Sequence, residues 1–463
     1  MRILFLNLQL RPDSKRRQLP VGLAYVMTAV KKAGFNFDFI DMDVDNLSIE
    51  DLKGKLEHNL YDVYAFGCIV TGYSVVREIA SIIRGINPWA KIVVGNSVAS
   101  SIPNILLKNT EVDYAILGEG DKTIVDLLHH LDRRIDRVCE VKGAAIGNRH
   151  TYLPLGYRTI PRNIIDDLDT IGFPDWGLFD LEKYKKYGKV NVNEFSIDDE
   201  IISFPLNSAR GCPFNCSFCY HVFKGEKYRR YSIEAVIGEI GRLHDEYGAN
   251  YINFWDELTF PNTLSAKNFI LELQKLPFKI GWAANTRVGV FTERDIGLLR
   301  AMHTFGCTTL GASLESASPE ILKAMNKNIK VVDFIEQVKT VYYSGITPTT
   351  SLIFGYPQET KETIKLTFDV CERAGVFPSS GFLLPMPGTD IYNWAKRSGH
   401  IGDEVEYLER IGDRQDLHIN LTTMEDEELY ERVKVGLERL AGKLGVIVDD
   451  VFKTVKRLRP KEK

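Results

Sequence analysis

The sequence predicts an α/β protein made of two successive parallel-sheet domains and a helical C-terminal extension. Two observations lead to this prediction. In the first 131 residues, and again after about residue 202, short apolar segments alternate with amphipathic segments long enough to be crossover helices. Between these regions the periodicity fades, and beyond Gly402 the chain is charged with helical periodicity. We therefore expect domains over 1–138 and 203–400, a linker over 139–202 and an extension over 401–463.

The first domain is predicted to be a doubly wound sheet. Its strands fall at 3–8, 37–40, 63–66, 92–94 and 114–117, with helices at 21–32, 50–57, 74–84, 102–108 and 122–131. Nearly all-apolar strands indicate a parallel sheet covered on both faces, and such a sheet binds ligands beyond the carboxyl ends of its strands. Glycines at these ends either admit a ligand close to the backbone or simply form tight turns. The ends carry Gly67, Thr71-Gly72, Gly95-Asn96-Ser97 and Gly118-Glu119-Gly120.

The second domain is predicted to be a partial or complete parallel barrel. Its strands fall at 202–208, 251–255, 278–283, 309–313, 350–354 and 381–384, with helices at 233–246, 264–273, 293–304, 334–343, 360–374 and 390–396. Six such units place the chemistry at the carboxyl-terminal mouth of the strands. In the extension, Val448, Val451, Phe452, Val455 and Leu458 form one helical stripe, which favours a final helix docked on the protein.

Composition excludes several classes of protein. The 463 residues carry a net charge of −4 and 44% hydrophobic residues, so the basic footprint of a nucleic-acid-binding protein is missing. The sequence has no run of 18 apolar residues, so a transmembrane segment is not expected. The N-terminus turns polar too early for a secretory signal. We expect a cytoplasmic protein.

The cysteines give the strongest chemical signal. Of seven, Cys68, Cys139, Cys307 and Cys371 are scattered and are expected to be small buried hydrophobes. Cys212, Cys216 and Cys219 instead form a C-x3-C-x2-C group directly after the first barrel strand. Soft thiolates select iron–sulfur clusters or zinc. Three thiolates on a four-iron cluster would leave one iron open, whereas zinc would need His221, which follows Cys219 too closely for an easy tetrahedron.

This motif, with Phe218 before its last cysteine and Tyr220 after it, resembles that of the radical SAM superfamily. The resemblance continues in order through 227–229, 254–260, 286–287, 311–316, 325–327, 352–360 and 385–389. It implies a [4Fe–4S] cluster on the three cysteines and bound S-adenosylmethionine (SAM). The residues that it assigns to SAM are Tyr220, Asp256, Glu257, Arg287, Ser313, Glu315 and Gly355.

The SAM assignments of Asp256, Glu257 and Arg287 have structural alternatives. Asp256 and Glu257 would accept hydrogen bonds from the SAM ammonium, or else form a solvated pair at a strand end. Arg287 would hold the SAM carboxylate in a bidentate pair, or else belong to a structural ion pair. Ser313 and Glu315 suit ribose hydroxyls or the ammonium.

The first domain is similar to the cobalamin-binding domain of one large branch of that superfamily. The matching segments are 20–25, 67–74, 93–95 and 117–120. The chain lacks a D-x-H-x-x-G loop and reads Gly95-Asn96-Ser97-Val98 where many members have Gly-Gly-Pro-His, so these loops offer cobalt no histidine. Ser74 is an equally good helix N-cap. The residues expected to contact cobalamin are Thr71, Tyr73, Ser74, Gly95, Asn96, Ser97, Gly118, Glu119 and Gly120.

The resemblance implies a methyltransferase that uses a deoxyadenosyl radical and methylcobalamin to methylate an unactivated carbon. The branch also contains cyclases and carbon–carbon bond-forming enzymes, and a non-catalytic cobalamin or SAM sensor is the alternative of another class. A methylthiotransferase would need three further N-terminal cysteines, and only Cys68 and Cys139 precede the motif. We expect a small-molecule, lipid or peptide substrate, an external electron donor of the flavodoxin or ferredoxin type, and no nucleic acid.

Overall fold

The computed structural model describes residues 1–14, 17–133, 141–147, 158–186, 201–450, 452 and 454–455. They belong to two compact units, neither of which is continuous in sequence. The first unit comprises Met1–Val190, Tyr220–Arg230 and Gly402–Ile411, and the second comprises Asn191–Cys219, Tyr231–Ile401 and Gly412–Lys463. The prediction of two parallel-sheet domains is confirmed, although the segments of the chain alternate between them.

The chain up to residue 186 forms the sheet of the first unit and its helices. The strands are β1 (Ile3–Asn7), β2 (Asp38–Asp41), β3 (Val63–Gly67), β4 (Lys91–Gly95), β5 (Tyr114–Ile116), β6 (Ala144–Ile146) and β7 (Arg158–Thr159). The helices are α1 (Val21–Lys32), α2 (Ile49–His58), α3 (Tyr73–Ile86), α4 (Asn96–Ser101), α5 (Pro103–Asn109), α6 (Gly120–Asp132) and α7 (Leu181–Lys185). Short 3-10 helices cover Val70–Gly72, Leu168–Thr170 and Trp176–Leu178.

The sheet of the first unit has the order β2-β1-β3-β4-β5-β6-β7. Its first five strands are parallel, with Gly67 opposite Gly95 at the carboxyl ends of β3 and β4. Successive residues of a strand point to opposite faces, so a strand buried along its length is covered on both. Leu4 and Phe5 of β1 are both almost fully buried. The doubly wound arrangement follows from these apolar strands, as predicted.

The stretch 139–202 differs from the predicted linker. Strand β6 pairs antiparallel with β5, and β7 pairs antiparallel with β6. Trp176 is 1% exposed, and the backbone N–H of Asp175 donates to Thr28 Oγ1 at 2.8 Å. The described residues of this stretch up to 186 therefore belong to the first unit. Strands of three and two residues are too short to give a periodic signal in sequence, which explains the difference.

The later chain supplies the second unit and two short additions to the first. Its strands are β8 (Ser203–Leu206), β9 (Ala209–Arg210), β10 (Arg229–Arg230), β11 (Tyr251–Phe254), β12 (Gly281–Asn285), β13 (Cys307–Gly311), β14 (Thr347–Thr349), β15 (Ser351–Phe354), β16 (Ser379–Phe382), β17 (Val448–Asp450) and β18 (Thr454–Val455). Its helices are α8 (Ile233–Tyr247), α9 (Thr263–Leu273), α10 (Ile296–Thr304), α11 (Pro319–Ala324), α12 (Val331–Tyr343), α13 (Lys361–Ala374), α14 (Asp390–Arg397), α15 (Glu404–Arg410) and α16 (Asp426–Leu444). A 3-10 helix, Glu293–Asp295, precedes α10. Strand β10 and helix α15 fall in the first unit.

The second unit contains the six predicted parallel βα units. Five strands form a sheet in the order β14-β13-β12-β11-β8, and β15 pairs in parallel with β16. The predicted fifth strand, 350–354, corresponds to β15, and β14, which was not predicted, precedes it on the other side of Thr350. A parallel bridge joins Glu315 to Leu352. The result is the open, partial barrel predicted from the alternation of apolar segments.

Helix α16 completes the core of the second unit by packing on α13. Buried Leu429, Val433, Leu437 and Leu440 of α16 share a cluster with Phe368 of α13. The predicted final helix with its apolar stripe is wrong, because Val448–Asp450 and Thr454–Val455 form an antiparallel pair of strands. Phe452 is buried, and Val451 and Leu458 lie outside the described residues.

Candidate active site

The predicted cluster loop follows β9 in the second unit. Gly211 turns the chain with a φ of 87°, and Cys212, Cys216 and Cys219 come within the next eight residues. Cys216 is buried, and the other two are half-buried. In the described ranges no three or more His, Cys, Asp or Glu side chains surround one metal position. The fit to an iron–sulfur cluster therefore rests on the chemistry of three soft thiolates on one loop.

The remaining cysteines follow the sequence prediction where they are described. Cys68, Cys307 and Cys371 are buried, and Cys139 lies outside the described residues. The alternative zinc ligand, His221, belongs to the first unit, where its ring contacts that of Phe223.

Ser217 fixes the cluster loop to distant parts of the second unit. Its backbone N–H donates to the Met325 carbonyl at 2.9 Å, and its hydroxyl donates to the Ala324 carbonyl at 2.8 Å. The same hydroxyl pairs with the Tyr356 hydroxyl at 2.9 Å, and the Ser217 carbonyl accepts from the Ile391 N–H at 3.1 Å. The end of α11, the turn after β15 and the start of α14 therefore set the loop conformation. These contacts could not be predicted from the sequence because they join residues more than 100 positions apart.

Asp256, at the end of β11, makes structural hydrogen bonds. One carboxylate oxygen accepts from the N–H groups of Ser208 and Ala209 at 2.8 and 3.0 Å, and the other accepts from the Ser208 hydroxyl at 2.6 Å. Burial raises the pKa of this carboxyl, and the hydrogen bonds oppose that shift. The structure thus uses Asp256 to fix the segment that leads into the cluster loop. Glu257 is exposed at the same strand end, so the predicted acceptor for the SAM ammonium rests on Glu257.

Arg287 follows β12 and contacts the cluster loop. Its guanidinium carbon lies 3.6 Å from the centre of the Phe214 ring, which is a cation–π geometry. Phe214 is 39% exposed, so this pair lies at the surface of the unit. The contact places Arg287 beside the loop that carries the three predicted cysteines.

A polar cluster follows β13. Ser313 Oγ lies 2.7 Å from Ser351 Oγ, and Glu315 Oε1 lies 2.9 Å from Lys327 Nζ. The Glu315 and Lys327 side chains are 7% and 8% exposed. Glu315 has a φ of 66°, the left-handed region that a residue with a side chain rarely adopts. Ser351 Oγ also lies 3.5 Å from Glu315 Oε2, so Ser313 and Glu315 share this cluster. Lys327 is a partner that was not predicted from the sequence.

Gly355 needs its glycine because its φ is 102°. It follows β15, and its N–H donates to Glu359 Oε2 at 3.4 Å. Burial raises the pKa of Glu359 to about 7. The backbone after β15 is therefore held by a buried carboxyl.

Inside the barrel a cavity of about 370 Å³ opens between neighbouring strands. Its wall combines amide and hydroxyl side chains with aromatic and small apolar ones. The lining residues are Asn253, Phe254, Trp255, Asp256, Ala283, Ala284, Asn285, Thr309 and Thr349. A cavity with a few polar groups on an apolar wall is typical of a small-molecule site.

Tyr220, predicted to serve SAM, lies in the first unit. Its hydroxyl forms a hydrogen bond with Ser101, at the end of α4, and burial raises its pKa to about 12. A neighbouring serine, Ser100, accepts from the Gly118 N–H at 2.9 Å. Tyr220 is therefore placed beside the turns after β4 and β5, among residues assigned to cobalamin.

Most residues predicted to contact cobalamin gather at the carboxyl ends of β3, β4 and β5. Asn96 has a φ of 68°, and its side-chain oxygen accepts from the Ser97 N–H at 2.6 Å. The Ser97 hydroxyl accepts from the Val70 N–H at 2.8 Å, which joins the turn after β4 to the 3-10 helix that contains Thr71. Gly95 ends β4, Gly118 has a φ of 66°, and Gly120 begins α6. These turns form one edge of the sheet, where a doubly wound fold binds its ligand.

Tyr73 and Ser74 begin α3 at this edge. Gly72, not Ser74, is the N-cap of α3, so the alternative role of Ser74 is wrong. Tyr73 is fully buried, and among the described residues its hydroxyl has no hydrogen-bond partner. Such an unsatisfied buried group suits a polar ligand at this edge.

Glu119 has a structural role that differs from the predicted cobalamin contact. Both of its carboxylate oxygens accept from Arg229 Nη1 at 2.9 and 3.0 Å, and one also accepts from the Ile165 N–H at 2.7 Å. The two side chains are 5% and 2% exposed. A charge buried this deeply needs a partner, and Arg229 supplies it. The sequence could not show this pairing because the partners lie 110 residues apart.

Comparison with known families identifies two domains in this chain. Residues 206–371 match the family model described as Radical SAM superfamily, and residues 14–128 match the one described as B12 binding domain. The first match contains the cluster loop and β11 to β15, and the second contains the turns after β3, β4 and β5. The chain belongs to the cobalamin-dependent radical SAM enzymes.

Relatives of this radical SAM enzyme include two curated proteins and a solved structure. An uncharacterized methyltransferase of Pyrococcus horikoshii is 28% identical over 379 residues, covering 81% of this chain and 78% of the relative. The anaerobic magnesium-protoporphyrin IX monomethyl ester cyclase of Cereibacter sphaeroides is 30% identical over 358 residues, covering 75% of this chain and 55% of the relative. The methyltransferase TsrM of Kitasatospora setae shares the fold with a TM-score of 0.67 and 18% identity, covering 86% and 77%.

Among the described residues, no helix has the length and apolar character needed to cross a membrane.

Proposed function

We propose that this radical SAM enzyme transfers a methyl group to an unactivated carbon. The observation that carries the proposal is a three-thiol loop after the first strand of a parallel (β/α)6 unit, in a chain that also has a B12-binding domain. The P. horikoshii relative is described as a methyltransferase, and so is TsrM.

The residues present fit the three cofactors. Cys212, Cys216 and Cys219 would hold a [4Fe–4S] cluster and leave one iron without a protein ligand. Glu257, Arg287, Ser313, Glu315 and Gly355 would bind SAM, and Thr71, Tyr73, Ser74, Gly95, Asn96, Ser97, Gly118 and Gly120 would bind cobalamin. When bound, the cluster and SAM supply a deoxyadenosyl radical, and cobalamin supplies the methyl group.

The chain's own residues would bind the cofactors, orient them and keep water out of the site. Ser217 holds the cluster loop, and Asp256 holds the strand end before it. Asn253, Asn285 and Thr309 give the barrel cavity hydrogen-bonding groups, so we propose that it admits a polar portion of a small-molecule, lipid or peptide substrate. Electrons would come from an external donor of the flavodoxin or ferredoxin type.

The cluster is tested by replacing all three motif cysteines with Ala. We expect the variant to lose bound iron and reductive SAM cleavage, because no thiolate remains on the loop. The measurement is iron content and deoxyadenosine release after anaerobic reconstitution. Cys307→Ala, at a buried cysteine of β13, is the matched control and should keep both. Wild-type protein that held stoichiometric zinc without iron would refute the proposal.

The methyl transfer is tested by incubating the reconstituted enzyme with SAM carrying a labelled methyl group, cobalamin and a cell extract. We expect label in one extract component together with deoxyadenosine. The second candidate is a cyclase, favoured by the 30% identity to the C. sphaeroides enzyme. Deoxyadenosine release with a product that gains no label would support the cyclase. If neither deoxyadenosine nor a labelled product is formed, the result would support the remaining candidate, a non-catalytic cofactor-binding sensor.

A further inference from the structure

The turn formed by residues 324–327, at the end of α11, contacts two parts of the candidate active site. Its sequence is Ala-Met-Asn-Lys, and all of its contacts considered below lie within the second unit. Residue 326 is an asparagine with a φ of 50°, so the turn has a defined left-handed kink.

One side of the turn holds the cluster loop. The carbonyls of Ala324 and Met325 accept from the hydroxyl and the N–H of Ser217 at 2.8 and 2.9 Å. The Asn326 side-chain amide donates to the Asn215 carbonyl at 2.7 Å. Ser217 and Asn215 flank Cys216, so three hydrogen bonds from one turn fix the backbone around the middle cysteine.

The other side of the turn holds Glu315. Lys327 Nζ lies 2.9 Å from Glu315 Oε1, and both side chains are more than nine-tenths buried. Glu315 has a φ of 66° and also forms a parallel bridge with Leu352 of β15. A residue with a side chain keeps such a backbone conformation only when its surroundings hold it there. Backbone hydrogen bonds supply that hold, because the Glu315 N–H donates to the Ser351 carbonyl at 2.9 Å and its carbonyl accepts from the Ile353 N–H at 3.0 Å. The Lys327 ammonium then holds the Glu315 carboxylate by a charge-assisted hydrogen bond, which is stronger than a neutral one.

We infer that Lys327 and Asn326 are positioning residues that keep the cluster loop and the Glu315 carboxylate in register with each other. SAM bound to the cluster would have to meet Glu315 at a fixed place, and a single short turn sets both ends of that distance. Lys327 acts through Glu315, and Asn326 acts through the backbone beside Cys216. The inference rests on the proposed function, in which Glu315 binds SAM.

The test is the affinity for SAM of Lys327→Met in the full-length, cluster-reconstituted protein. We expect the dissociation constant for SAM, measured by equilibrium dialysis, to rise about 10- to 150-fold. This is the effect of losing one charge-assisted hydrogen bond between SAM and a Glu315 carboxylate that Lys327 no longer holds in place, about 10- to 150-fold in affinity. The electron paramagnetic resonance spectrum of the reduced cluster should then respond weakly to added SAM, while iron content stays at the wild-type level. Lys443→Met, at an exposed pair with Glu372, is the matched control and should change neither.

A double-mutant cycle separates positioning from folding. Lys327→Met leaves the Glu315 charge buried alone, whereas Glu315→Gln with Lys327→Met leaves none, so the double variant should fold even where the single one does not. If Lys327 acts only through Glu315, the double variant should bind SAM as weakly as Glu315→Gln alone. A folded Lys327→Met protein with wild-type SAM affinity and an unchanged spectral response would overturn the inference.

Asn326→Gly tests the other side of the turn. Glycine keeps the backbone conformation but removes the hydrogen bond to Asn215. We expect faster release of iron to a chelator from the reconstituted protein, and an unchanged release rate would contradict this part of the inference. If wild-type protein bound neither iron nor SAM, the proposed function would fail instead.

Discussion

Two buried carboxylates in the described part of the chain each pair with a buried cation. Glu119 with Arg229 in the first unit and Glu315 with Lys327 in the second are each less than 10% exposed. In water-poor surroundings an isolated charge is costly, so each partner depends on the other. Glu119 was predicted as a cofactor contact, and its pairing shows that a charged residue at a strand end can serve the fold instead.

We predict that Arg229→Met destabilises the protein by about 3–5 kcal/mol, because it leaves the Glu119 carboxylate buried without its cation. The measurement is the midpoint of thermal unfolding followed by circular dichroism. Adding Glu119→Gln should restore much of the loss, since no buried charge then remains. Lys365→Met, at an exposed pair with Asp369, is the control and should leave the midpoint in place. An Arg229→Met midpoint equal to that of the control would contradict a buried pair.

Individual residue types and spacing predicted part of the site. The cysteine loop, Ser313 with Glu315, and the turns around Gly95 and Gly118 follow from local sequence, because each lies directly after a strand. The partners of Asp256, Glu119 and Ser217 could not be predicted, since each contact joins segments 46 or more residues apart. A sequence shows which side chains are chemically able to bind, and only the fold shows which of them already have a partner.

At the scale of elements, regular strands and helices were predictable and irregular ones were not. Helix α1 begins and ends at the predicted residues, and the eleven predicted helices of the two domains all occur close to their predicted places. Strands β6, β7, β14, β17 and β18 were missed. Each of these strands has three or fewer residues, which is too few for a two-residue repeat to be visible in the sequence.

Packing of α16 on α13 gives a prediction at this scale. A Cβ atom on Gly436 would lie 2.2 Å from the Phe368 ring, whereas one on Gly442 in the same helix would meet nothing within 4 Å. We expect Gly436→Ala to destabilise the protein by about 1–3 kcal/mol through overpacking. Gly442→Ala should stabilise it by about 0.5–1 kcal/mol through helix propensity. Chemical denaturation of both variants measures the difference, and equal effects would contradict close packing of these helices.

At the scale of the whole molecule, the histidines of the first unit bear on how it would hold cobalt. His58 lies in the last turn of α2, and His129 and His130 lie in the last turn of α6. Crossover helices run back from the carboxyl ends of the strands, so these last turns are remote from the edge that binds a ligand. Among the described residues of this unit, His221 is the remaining histidine.

We therefore predict that cobalamin binds with its nucleotide tail displaced from cobalt and with no histidine on the lower face of cobalt. The electron paramagnetic resonance spectrum of the cobalt(II) form should lack the triplet splitting that a nitrogen ligand produces. His221→Ala is the control and should leave the spectrum and the binding of cobalamin unchanged. Triplet splitting in the wild-type protein that His221→Ala removes would contradict the prediction, and failure to bind cobalamin would contradict the assignment of this domain.

The interleaving of the two units also constrains how such a chain can evolve or be dissected. Tyr220–Arg230 follows the last cluster cysteine in the sequence, yet it belongs to the same unit as the first 190 residues. It carries Arg229, which neutralises Glu119. A gene fragment that ends at the first domain boundary would encode Glu119 without Arg229. Recombination that exchanged the N-terminal module alone would produce the same mismatch. Inheritance of the two modules together is therefore favoured, because separating them leaves the buried Glu119 carboxylate without a cation.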